Sequence, residues 1–94
     1  MSAKTIVINM KDNVATALAD IPKGSVVEVQ RGEKTMKVET RDFIPFGHKI
    51  ALEDIATGGL VTKYGETIGD ATRDISKGEH VHIHNTKGLR GKGG

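Results

Sequence analysis

The 94-residue chain has no cysteine, which excludes disulfides, thiolate metal sites, iron–sulfur ligation and a thiol nucleophile. Any metal must therefore be held by imidazole, carboxylate or amide groups. Tryptophan is absent too, and Phe43, Phe46 and Tyr64 are the only other aromatics, which leaves little for stacking against nucleic-acid bases. No apolar run approaches the roughly 20 residues that cross a bilayer, and the N-terminus lacks the apolar stretch and small-residue cleavage site of a secretory signal. A large excess of one charge is missing as well. The net charge is +2, and with Lys87, Arg90 and Lys92 set aside the chain holds 11 bases against 12 acids. These absences predict a cytoplasmic protein with neither a membrane nor a nucleic acid as partner. G-x-S-x-G elbows, Walker loops and H-E-x-x-H helices are also missing, and the glycines stand singly at turns rather than in a phosphate-cradling run.

What is present is an ordinary apolar share, 36% before glycine is counted, in a chain of single-domain length. A domain this small buries roughly 60–68% of its unfolded surface, enough for a thin core but hardly for a deep, self-made cavity. Val and Ile total 17 against 4 Leu, and Thr adds 9, so β-branched residues dominate and a mostly β fold with short helices is expected. The expected strands are residues 5–8, 25–29, 35–39, 60–63 and 80–84.

A weak repeat organises the chain. Asp20-Ile21-Pro22-Lys23-Gly24 followed by Val27 recurs as Asp54-Ile55-Ala56-Thr57-Gly58 with Val61, and as Asp74-Ile75-Ser76-Lys77-Gly78 with Val81. Upstream of each motif the apolar spacing predicts a one- or two-turn helix: Val14, Ala17, Leu18 and Ile21 follow i, i+3, i+4, i+7, as do Ile68, Ala71, Thr72 and Ile75. Asp12 or Asn13 would cap the first helix, and Thr67 with Asp70 the last. After Asn85 the composition turns to glycine and cations, so residues 1–86 read as the domain and 87–94 as a tail or linker, disordered without a partner.

Two groups could carry chemistry. In the copy around Asp54, the apolar position held by Val14 and Ile68 falls to His48, with Lys49 beside it. This is either a half-buried imidazole and a solvated lysine or a proton-transferring pair at a helix start, where a carboxylate would also meet backbone N–H groups. The second group is His80-Val81-His82-Ile83-His84-Asn85. In an extended strand its three imidazoles share one face and Val81 and Ile83 turn to the core, with His80 and His84 about 13 Å apart, too far for one ion. An adjacent pair could chelate with outside ligands; a plain polar strand surface is the alternative.

The run Phe46-Gly47-His48-Lys49-Ile50-Ala51-Leu52, then Asp54-Ile55-x-x-Gly58, Lys63-Tyr64-Gly65-Glu66-x-Ile68-Gly69-x-Ala71, and Asp74-Ile75-x-x-Gly78-Glu79-His80-Val81-His82-Ile83-His84-Asn85 resembles the SAF domain of the altronate and galactarate dehydratase family. It is also similar to the small subunit of sulfolactate sulfo-lyase. The resemblance implies a SAF-type β-clip acting in carbohydrate metabolism as the small subunit or N-terminal domain of a lyase. The lyase would remove water, or sulfite, from a hydroxy or sugar acid, with ferrous iron and a large catalytic subunit required for activity. On that resemblance His48 exchanges a proton or binds a hydroxyl, Lys49 holds the substrate carboxylate, and His82 or His84 with Asn85 faces substrate or metal. A free-standing, non-catalytic sugar-acid binding module is the competing expectation.

Overall fold

The protein is described by a computed structural model covering residues 5–6 and 10–88. Among the described residues, nine strands make three layers. The middle layer is a four-stranded antiparallel sheet, order β1-β2-β5-β8, from β1 (Thr5–Ile6), β2 (Val14–Ala17), β5 (Lys49–Ala51) and β8 (His80–Val81). Against one face lies the hairpin of β3 (Val26–Arg31) and β4 (Lys34–Glu39). Against the other lies a sheet of β6 (Leu60–Lys63), β7 (Glu66–Ala71) and β9 (Thr86–Gly88). The mostly β expectation holds, and the sheets are antiparallel throughout, consistent with a SAF-type β-clip.

The expected helices are absent among the described residues. Val14–Ala17 is strand, as are Lys49–Ala51 and Glu66–Ala71, and Leu18, which a helix would have buried, is 48% exposed. The middle sheet explains why. Ala15, Ala17 and Ile50 face a core shared with Val27, Val29 and Val38 of the hairpin, while Val14, Ala51 and Val81 face a second core with Val61 and Ala71. A strand covered on both faces reads as an unbroken apolar run, which periodicity alone does not separate from a short buried helix. The hairpin has one covered face and alternates cleanly, with Val27 and Val29 buried between exposed Val26, Glu28 and Gln30.

The supposed capping residues have other partners. Asp12 Oδ1 accepts the Gly65 N–H at 2.7 Å, and the Asn13 amide donates to Leu60 O and accepts from Thr62 N–H, both at 2.8 Å. Together they tie the entry to β2 onto the β6–β7 hairpin. Thr67 and Asp70 lie within β7. At the other end, Lys87 and Gly88 pair with Asp70 and Gly69, so the expected boundary at 86/87 falls inside β9; residues 89–94 lie outside the described part.

The repeat has a fourth member, Ile44-Pro45-Phe46-Gly47, and the four turns work in two pairs. Ile21 and Ile44 exchange two backbone hydrogen bonds, and so do Ile55 and Ile75. The glycine N–H of each turn donates to a strand end: Gly24 to Thr40, Gly47 to Ala17, Gly58 to Ala71 and Gly78 to Ala51. The repeat aspartates cross from one turn to its mate. Asp54 Oδ1 accepts the Lys77 N–H, Asp74 Oδ1 the Thr57 N–H, and Asp20 Oδ1 the Phe46 N–H, at 2.8 to 2.9 Å. Gly78 must be glycine on two counts. Its φ is +92°, and a Cβ there would drive into the carbonyl oxygen of Glu39, where the two halves of the molecule meet.

Asp74 also accepts the Thr57 hydroxyl at 2.8 Å, and these bonds to Thr57 hold its pKa below the ordinary 3.8. A carboxylate whose pKa is depressed by folding contributes stability above its unfolded pKa, and loses it as pH falls through the folded value. Asp74→Asn should therefore be less stable than the parent at neutral pH, with the gap in urea midpoint closing as pH is taken below about 3.8. A gap that stays constant would contradict the assignment.

Candidate functional site

His48 leaves the 44–47 turn and leads directly into β5; its N–H donates to Pro45 O at 3.0 Å and its carbonyl accepts from Ala17 N at 2.8 Å. His80 opens β8 opposite Ile50, and its N–H is held by Asp42 Oδ2 at 3.0 Å. Lys49 pairs with Val81, so the next step outward along this antiparallel ladder sets His48 beside His82. Their rings stack with centroids 4.0 Å apart at 22°. His48 Nδ1 lies 2.9 Å from His80 Nε2, a hydrogen bond in which one imidazole donates and the other accepts. His80 also stacks on His82, at 5.6 Å and 11°. Each of the three offers a nitrogen, and these nitrogens lie within 4.8 Å of one another.

The structure alters the expectation for residues 80–84. The strand ends at Val81 and the chain turns, leaving Ile83 84% exposed instead of in the core. The turn also folds His84 back, so its ring centroid is 5.1 Å from that of His80 rather than a strand's length away. Asn85 drives this. It is fully buried; its Oδ1 accepts the His82 N–H at 3.0 Å and its Nδ2 donates to His80 O at 2.8 Å. Its side chain is thus committed to shaping the loop on which His82 and His84 sit.

The electrostatics favour the neutral form of His80 and His82. Partial burial, then the charges of His84, His48 and His82, push His80 down to about 4 against an opposing pull from Asp42. Burial, followed by His48, Lys49 and His84, also lowers His82. At neutral pH these rings have free lone pairs, the form that binds a metal. Lys49 begins β5 rather than a helix, so no helix N-terminus lies beside it. Half-buried, it has its pKa lowered by desolvation and then by Lys63.

Imidazole nitrogens about 2.1 Å from one first-row ion, at right angles, stand about 3 Å apart, close to the His48–His80 separation. The His48–His80 pair therefore has the spacing for such an ion, and with His82 beside it three imidazoles would leave further coordination positions for an acid's oxygens. Sequence reasoning had His48 and the 80–84 run as separate features. It also missed Asp42, although a signal existed: the aspartate that precedes the isoleucine directly in three turns stands one residue earlier in the fourth, Asp42-Phe43-Ile44.

A family model described as the altronate/galactarate dehydratase SAF domain matches residues 3–89. The altronate dehydratase of Bacillus subtilis (strain 168) is 46% identical over 82 residues, and that of Escherichia coli (strain K12) 48% over 82; these cover 87% of this chain but 16% of each enzyme. The (2R)-sulfolactate sulfo-lyase subunit alpha of Chromohalobacter salexigens is 36% identical over 93 residues, 96% of this chain and 99% of that subunit. The chain thus spans about a sixth of the dehydratases and nearly all of the subunit. With its repeated turns, its GHKIAL and GEHVHIHN stretches brought together by β5 and β8, and this match, the chain belongs to the altronate/galactarate dehydratase SAF domain family.

Proposed function

We propose that the chain is the small subunit, or the SAF domain, of a cytoplasmic lyase that eliminates water from a small hydroxy or sugar acid, in company with a large catalytic subunit. The observation that carries this reading is the convergence of His48, His80 and His82 at one edge of the middle sheet. The relatives' names supply the reaction class, and the likeness to a protein named as a sulfo-lyase subunit alpha supports a partner subunit.

Dehydration needs a base for the proton next to the carboxylate, a cation for the carboxylate and the charge that develops, and an acid at the departing hydroxyl. Ferrous iron, the metal the resemblance implies, would supply Lewis acidity at that hydroxyl when bound. His48, His80 and His82 would hold it, the lowered pKa values of His80 and His82 keeping those two rings neutral. A ring nitrogen of His48 turned away from the ion remains free to meet a substrate hydroxyl. Lys49, whose charge already acts on His82, would bind the carboxylate. His84, exposed and with its ring tilted against that of His80, is placed to exchange protons with solvent. Asn85 contributes through the loop that it shapes. A second reading, the small subunit of a sulfo-lyase that releases sulfite, is favoured by the near-complete coverage of that subunit.

The test is turnover after reconstitution. The chain alone should be inactive on altronate, galactarate and (2R)-sulfolactate, and a large subunit co-purified with it should restore activity in the presence of ferrous iron. The active acid would decide between water and sulfite as the leaving group. Binding of these acids by the chain alone, with no partner and no metal requirement, would replace this reading with that of a non-catalytic sugar-acid binding module.

A further inference from the structure

Beside the 21–24 and 75–78 turns the chain contains an open cleft of about 790 Å³ lined by Lys23, Lys37, Arg41 and Lys77, with Glu39 and Asp54 as its acids. Its volume lies in the range of small-molecule sites, about 300–1,000 Å³. None of the four cations makes an ion pair among the described residues, where Arg31–Glu53 is the pair found. Asp54 is already engaged by the Lys77 N–H. The cleft thus carries four unpaired cations against two acids, in a chain whose charge is otherwise nearly balanced.

The turns give this cleft a specific feature. At the third position of three turns, the N–H of Phe46, Thr57 or Lys77 is taken by an aspartate from the mate turn. The fourth such N–H belongs to Lys23, and the residue that should serve it is Phe43, because the aspartate of that turn has moved one place back, to Asp42, where it holds His80. Lys23 N–H has no protein acceptor among the described residues, and Lys23 and Gly24 line the cleft. The fold builds a carboxylate position four times and fills it from within three times.

We infer that this cleft binds a small organic dicarboxylate, one carboxylate of which takes the place of the missing aspartate on the Lys23 N–H while the other lies among Arg41, Lys37 and Lys77. Backbone N–H groups at a turn flanked by cations are suited to carboxylates, because charge-assisted hydrogen bonds are directional and about twice as strong as neutral ones. The site is separate from the imidazole cluster, so its fate is independent of the lyase reading.

The test is an amide-resonance titration of the ¹⁵N-labelled chain with succinate, with sulfate as the comparison anion. Saturable shifts at Lys23 and Gly24 are expected, with little response to sulfate. Phe43→Asp, which supplies the fourth aspartate from within, should weaken succinate binding by about tenfold or more, the loss expected for one charge-assisted hydrogen bond and a like charge. Should that variant not fold, Arg41→Gln with Lys77→Gln provides the same reading and should weaken binding by a similar factor. No saturable shift at Lys23, shifts confined to His48, His80 and His82, an equal response to sulfate, or undiminished binding by the variant obtained would each overturn the inference.

Discussion

Replacing His80 with alanine is expected to lower the chain's affinity for ferrous iron, or for cobalt as its spectroscopic stand-in, by about 100-fold or more. Loss of a ligand should exceed the 10- to 100-fold cost of disturbing groups that merely orient one. His80 has the strongest claim among the three imidazoles. It lies within 2.9 Å of His48, stacks on His82, and is held at its backbone by Asp42. Anaerobic titration monitored by calorimetry measures the affinity directly. In the reconstituted enzyme saturated with ferrous iron, His48→Ala should still cut turnover by about 10²- to 10⁴-fold if its ring transfers a proton. Unchanged metal affinity in His80→Ala would remove His80 from the ligand set.

The second large effect belongs to Asn85, a residue that meets His80 and His82 at their backbones and not at their rings. Asn85→Ala strips an acceptor from the His82 N–H and a donor from His80 O inside a fully buried turn. Each buried group left unsatisfied costs about 1–3 kcal/mol, so a loss of about 2–5 kcal/mol is expected. For a domain of this length, each kcal/mol moves the melting temperature by about 4–8 °C, so calorimetry should show a drop of about 8 °C or more. The same variant should weaken metal binding, because His82 and His84 depend on the turn for their approach to His80. Asn85→Asp tests the division of labour: it retains the acceptor for His82 and removes the donor for His80, and should fall between parent and alanine.

These two residues also show what was legible in the sequence. The β3–β4 hairpin could be read because one of its faces is covered, so Val27 and Val29 alternate with Val26, Glu28 and Gln30. The segments around Val14 and Ile50 could not, because they serve two cores at once and the alternation disappears. His48 stood out as a polar residue in an apolar place, and the histidines of 80–84 as a cluster. Their meeting was hidden, since it depends on β5 pairing with β8 across some thirty residues of chain, a register that no local pattern encodes. The 13 Å estimate for His80 and His84 failed for a local reason: an asparagine amide that satisfies two backbone groups ended the strand at Val81. The family motifs reached the correct family without any of this geometry, because they preserve residue order and not its cause.

β5 is the last strand of one half and the first of the other. The chain from β2 through the 21–24 and 44–47 turns ends on it, and the chain through the 55–58 and 75–78 turns to β8 begins on it. Its Ile50 closes one core and its Ala51 the other. A duplication that shares a strand has no linker at which it could be divided, and neither half can open without exposing a face of the strand its neighbour relies on. Two units, each too thin to persist alone, are thereby made into a single cooperative one, and His48, at the mouth of the shared strand, inherits the rigidity of both.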